Sequence, residues 1–207
     1  MGRPRAGHPL RRLGDHRLII LASRSPQRRG LLGSLGVPFR VVASGEPEQS
    51  DEGLPAPDRV MAHARGKAHE VAGRVGVPEG GGVLGADTEV VLDGRALGKA
   101  AGPLEARAML AALSGRAHQV MSGVVLLTQR GESEALAVAE VRFRELDDAL
   151  LDWYLAQGEW QGRAGAYAIQ GAGAALVESV TGEPSAIIGL PLADVATLLR
   201  GAGLFPP

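Results

Sequence analysis

The chain has 207 residues, 45% of them hydrophobic, with 22 basic against 23 acidic residues, no cysteine and a formal net charge of -1. That length buries a sizeable core in one large domain or two packed lobes, and the charge balance gives no general drive toward nucleic acid or an anionic membrane. Disulfides, thiolate zinc sites and cysteine nucleophiles are excluded, and the longest apolar runs fall short of the ~20 residues that span a bilayer, so the expectation is a soluble, cytoplasmic protein without a membrane or nucleic-acid partner.

Residues 1–16 include Arg3, Arg5, Arg11 and Arg12 but no apolar segment. They read as a flexible extension and not a secretory signal, with residues 17–207 as a single domain. Residues 18–22 suit a buried strand. Ser25 then caps a helix with Pro26 in its first position; Leu31, Leu32 and Leu35 repeat at helical spacing and Gly36 stops it. Residues 39–43 predict a second strand, and 44–57 a polar loop. Val60, Ala64, Ala68, Val71 and Val75 mark an amphipathic helix over 57–75, with Lys67 on or beside its apolar stripe. Residues 83–92 predict a strand that turns at Asp93-Gly94 into 95–97. A helix opens at Pro103 and ends at Ser114-Gly115, two long strands cover 117–128 and 134–144, and a helix covers 147–157. Strands are predicted at 166–170, 174–180 and 185–188, and a closing helix at 191–199. Strands alternate first with helices and then with each other, which predicts an α/β fold with a mixed sheet.

Several segments suit chemistry. Ser23-Arg24-Ser25-Pro26-Gln27-Arg28-Arg29 joins a strand to a helix start, where amides, a positive dipole end and guanidinium groups make an anion site; a plain Ser-Pro cap followed by solvated arginines is the other reading. Glu46, Glu48, Asp51 and Glu52 form either a solvated acidic loop or hard-cation ligands. Asp87 sits inside the apolar run Val83-Leu84-Gly85-Ala86 and Val90-Val91, where a charge requires a partner or a metal, unless it is a hairpin-end Asp bonded to backbone. Of the 22 basic residues only Lys67 and Lys99 are lysine. In a chain that otherwise uses arginine, a compact ammonium points to a tight phosphate site, although each lysine can also extend to solvent. Gly98-Lys99 lacks the spacing of a P-loop, and Gly171-Ala172-Gly173 lacks a third glycine and runs toward a predicted strand. The five histidines show no metal-ligand spacing, His118 reads as structural, and Trp153, Tyr154 and Trp160 read as packing residues.

In this order, the segments resemble the Maf family of nucleotide pyrophosphatases. The matching stretches are Leu21-Ala22-Ser23-Arg24-Ser25-Pro26, Arg65-Gly66-Lys67-Ala68, Leu84-Gly85-Ala86-Asp87-Thr88, Leu97-Gly98-Lys99, residues 113–120, residues 164–171 and Ile188-Gly189-Leu190-Pro191-Leu192. The resemblance implies a mixed, strongly twisted central sheet flanked by helices, with two lobes around a cleft and a fold like that of inosine triphosphatase. It also implies a homodimer that hydrolyses nucleoside triphosphates to monophosphate and pyrophosphate. By match, Asp87, Lys67 and Lys99 carry the catalysis, Glu48 and Asp87 hold Mg²⁺ or Mn²⁺, and Ser23, Gln27, Arg28, Thr88 and Gln170 contact substrate. Thr88 and Ile169-Gln170-Gly171 follow the subgroup acting on dTTP and UTP, whereas Gln27 stands where that subgroup has Arg. A preference for purine or modified nucleotides and a nucleotide-binding regulator of cell division are the alternatives.

Overall fold

The computed structural model describes residues 17–46 and 53–205; the predicted N-terminal extension and Glu48, Asp51 and Glu52 lie outside them. Seven strands form one mixed sheet: β1 (Ile19–Ala22), β2 (Phe39–Val41), β3 (Gly82–Leu92), β4 (Arg95–Leu97), β5 (Ala117–Thr128), β6 (Gly131–Phe143) and β7 (Val177–Thr181). Their order is β2-β1-β3-β5-β6-β7, with β4 also on β3. β2, β1 and β3 run parallel, and every other pairing is antiparallel. Helices α1 (Pro26–Ser34), α2 (Ala56–Val75), α3 (Pro103–Leu113), α4 (Asp148–Ala156), α5 (Pro184–Ile188) and α6 (Leu192–Gly201) cover the sheet.

Strand alternation assigns the two faces. On one face, α2 lays Ala64, Ala68 and Val71 against Val83 and Val125, and Val60 against Val91 and Met121. The opposite face carries two separate apolar clusters. One joins Ile19, Leu84, Ala86 and Val124 to Leu32 of α1 and Val195 and Leu199 of α6. The other joins Val90, Leu92, Val120 and Phe143 to Leu110 of α3 and Leu151 and Tyr154 of α4. Between them along β3 and β5 stand Thr88 and the fully buried Ser122, partners in the strand register. A polar seam therefore separates two cores on one sheet, which gives the expected two lobes a physical boundary.

Three predicted elements differ from the structure. Residues 166–170 form no strand, because Gly165, Ala166 and Gly171 take φ of 66°, 58° and 75° and break the chain into turns. Residues 185–188 lie in α5; Pro184 pre-sets its first turn and Gly189 closes it, so local breakers override the β-branched Ile pair. Gly171–Leu176 is a 3-10 helix, so Gly171-Ala172-Gly173 opens a helical turn before β7 begins at Val177. Tyr154 and Trp160 pack inward as expected, whereas Trp153 is exposed.

Candidate active site

The site lies where β3 loses a neighbour. β1 pairs with β3 as far as Ala22 opposite Gly85, and the pairing of β3 with β4 starts at Val90, opposite Leu97 at the end of β4. Among the described residues no strand pairs with 86–89 on that edge. The gap is flanked by the loop from β1 into α1 and by the chain leaving β4 at Gly98-Lys99.

Asp87 and Glu89 point toward α2, which brings Arg59, His63 and Lys67 at successive turns. Lys67 Nζ donates to Asp87 Oδ1 at 2.5 Å, and His63 Nδ1 lies 3.4 Å from Asp87 Oδ2 and 4.0 Å from Glu89 Oε1. Arg59 grips Glu89 through two bonds of 2.8 and 2.7 Å. Burial pushes the Asp87 carboxyl up. The hydrogen bond from His63, the charges of Lys67 and Arg28 and the Lys67 hydrogen bond outweigh it and hold the group down at about 2. Asp87 is 9% exposed and is fully ionised at neutral pH.

Thr88 points to the other face. Arg28, in the first turn of α1, donates from Nη2 to Thr88 Oγ1 at 3.0 Å and from Nε to the Gly189 carbonyl at 2.8 Å. As predicted, Ser25 caps α1, its Oγ accepting from the Arg28 amide at 3.4 Å. The Ser25 hydroxyl donates to Gln27 Oε1 at 3.0 Å, and buried Ser23 accepts from the Ser25 amide at 3.1 Å.

The structure thus brings Asp87 and Lys67 into contact, and Arg28 and Thr88 into contact. Ser23 and Gln27 are joined to the cap of α1 through Ser25. Lys99 is exposed just after β4 and its backbone bridges to Ala164. Gln170 is exposed at the start of the 3-10 helix. Four residues of the arrangement escaped the sequence reading: Arg59, His63, Glu89 and Ser122. Their signals were the i, i+4, i+8 spacing of Arg59, His63 and Lys67 on one helix, and the i, i+2 spacing of Asp87 and Glu89 on one strand. One nitrogen of His63 and one oxygen each of Asp87 and Glu89 lie within 4.8 Å of one another, a spacing that a divalent ion can bridge.

Fold and site define an α/β protein that concentrates an ionised buried carboxylate, a second carboxylate, an imidazole and three cationic side chains at a gap in its sheet. The chain belongs to the Maf family: the family profile, described as Maf-like protein, matches residues 18–202. It is 46% identical over 192 residues to a dTTP/UTP pyrophosphatase of Anaeromyxobacter dehalogenans (strain 2CP-C), covering 91% of this chain and 95% of that one. It is 46% identical over 186 residues to a dTTP/UTP pyrophosphatase of Deinococcus radiodurans, covering 90% and 93%. It is 47% identical over 183 residues to a nucleoside triphosphate pyrophosphatase of Xylella fastidiosa (strain 9a5c), covering 88% and 97%.

Proposed function

We propose that this chain hydrolyses dTTP and UTP to the nucleoside monophosphate and pyrophosphate, as a cytoplasmic, homodimeric enzyme that clears surplus pyrimidine nucleotides. The activities of its relatives support this, and the observation that carries it is the Lys67–Asp87 pair at the unpaired edge of β3. A triphosphate brings about four negative charges, and positioning and electrostatics dominate phosphoryl chemistry. Arg28 and Lys67 hold and neutralise those charges, with Lys99 reaching in from the chain after β4. Ser23 and the amides of the first turn of α1 add neutral donors. Gln27 and Gln170 are the residues we assign to the pyrimidine base.

The donor set of one imidazole nitrogen and two carboxylates suits Mn²⁺, and its oxygens suit Mg²⁺. Asp87, Glu89 and His63 would hold the ion, joined by Glu48. The chemistry supplied by a bound ion there is charge neutralisation and polarisation of phosphoryl oxygens. A carboxyl held at about 2 is a weak base, so Asp87 acts by accepting a hydrogen bond from the attacking water and orienting it, more than by removing its proton.

The test is to incubate the protein with a panel of nucleoside triphosphates and Mg²⁺ or Mn²⁺ and to identify the products. We expect monophosphate and pyrophosphate, fastest from dTTP and UTP; orthophosphate in place of pyrophosphate would overturn cleavage at the α-β bond. Asp87→Asn is expected to reduce turnover by roughly a thousandfold with the thermal transition retained. Near-normal turnover would remove Asp87 from the mechanism.

A further inference from the structure

On the face opposite Asp87, four groups form a hydrogen-bonded line whose direction is fixed by valence. Ser122 Oγ donates to the Ala186 carbonyl at 2.7 Å. Thr88 Oγ1 lies 2.7 Å from Ser122 Oγ, and Arg28 Nη2 donates to Thr88 Oγ1 at 3.0 Å. A carbonyl only accepts, so the single Ser122 hydroxyl hydrogen is spent on Ala186. The Ser122 oxygen therefore accepts the hydrogen of Thr88. With its hydrogen committed, Thr88 meets the guanidinium as an acceptor, the one role that a group with donors only can match. The competing direction, Thr88 to the Gly189 carbonyl, spans 3.4 Å, at the long limit of a hydrogen bond.

Ser122 is fully buried between Val120 and Val124, which belong to different apolar clusters. A hydroxyl at such a place costs desolvation that an alanine would not. What it supplies is an acceptor for Thr88, and without that acceptor the Thr88 hydroxyl is free to rotate its hydrogen toward Arg28. The guanidinium would then face a donor. Arg28 is also held by the Gly189 carbonyl, 2.8 Å from Nε, so the line from Ala186 through Ser122 and Thr88 contributes a second point that biases the rotation of the guanidinium plane about that anchor.

We propose that Ser122 is a positioning residue for nucleotide binding: acting through Thr88, it presets the Arg28 guanidinium in the orientation that receives the triphosphate. This rests on the reading of Arg28 as a phosphate-binding residue. Thr88 then acts on the nucleotide through Arg28, and not by the direct substrate contact that the family resemblance implies. Preorganisation of this kind lowers the ordering cost of binding and leaves the chemical step alone.

The experiment is steady-state kinetics with dTTP on Ser122→Ala, Thr88→Val, the double variant and Ser122→Thr, with thermal unfolding followed in parallel. Loss of one hydrogen bond to a charged group corresponds to about a tenfold change. We expect Ser122→Ala to raise KM about tenfold with kcat within about twofold, Thr88→Val to give the same rise from the other side of the link, and the double variant to be no worse than the poorer single. Ser122→Thr, which keeps the hydroxyl, recovers most of the loss. A parental KM in Ser122→Ala, equal losses in kcat and KM, or additive losses in the double variant overturn the proposal. Calorimetric affinity for a non-hydrolysable dTTP analogue reads the same tenfold loss without turnover, so a parent that binds but does not hydrolyse overturns the enzymatic reading and still tests the line. If Ser122→Ala does not fold, Thr88→Val alone carries the comparison.

Discussion

Asp87 is tolerable in a sheet because its charge is met from three sides, by Lys67, His63 and Arg28. The energetic consequence is asymmetric. Removing Lys67 leaves an ionised carboxylate short of a partner in a place that burial disfavours, whereas neutralising both members removes that unmatched charge. Lys67→Met is therefore expected to lower unfolding stability by about 3 kcal/mol, and the Lys67→Met/Asp87→Asn double variant to regain most of it; urea unfolding at pH 7 measures both. Equal stability of the single and double variants would show that the pair carries no coupling. This pair was legible in the sequence, since an acid in an apolar run and a rare lysine on a helix face both violate their surroundings. Glu89 and His63 were not. An acid two residues past Asp87 reads as the solvent side of a strand, and only the lie of α2 across β3 turns that side inward.

The way α2 lies depends on two absent side chains. A Cβ on Gly85 would come within 2.2 Å of the Ala64 carbonyl, and one on Gly123, the register partner of Asp87, within 2.8 Å of Met61 Sδ. The helix can approach the sheet this closely only over glycine, and the approach lets Lys67 reach Asp87. Gly85→Val is expected to cost about 3 kcal/mol of stability by overpacking and to lower turnover as well, because the helix must lift away from β3. Chemical denaturation and the dTTP assay check the two effects; an unchanged midpoint would show that α2 has slack. Most elements were legible because their periodicity is strong, as in the apolar stripe Val60, Ala64, Ala68 and Val71 and the long runs of β3 and β5. The failures cluster at 166–188. There, glycines with positive φ, a Pro184 start and a Gly189 stop decide conformation over three or four residues, too short a stretch for a repeating pattern to register.

At the scale of the molecule, the sheet joins a face covered by the single helix α2 to a face covered by several helices, and the latter holds a buried imidazole that bears on acid sensitivity. His118 donates or accepts at Nε2 with the Tyr167 hydroxyl at 2.8 Å, lies edge-on to Phe143 and Tyr167, and its Nδ1 finds no partner among the described residues. Burial lowers its pKa from 6.5 to about 4. The unfolded chain thus binds a proton that the folded chain refuses, so stability is full above pH 6.5 and declines as pH falls toward 4, by about 3 kcal/mol from this group. His118→Gln should flatten that slope between pH 6.5 and 4.5 in urea titrations, and an unaltered slope would assign the acid sensitivity elsewhere. The seam of Thr88 and Ser122 has a different consequence, for how the protein can change over generations. Since no apolar contact needs to cross it, substitutions in the cluster around Leu84 and Val124 and those in the cluster around Val120 and Phe143 should combine nearly additively. Each lobe can drift in sequence on its own, while a change in either member of the hydroxyl pair between them is felt by the other.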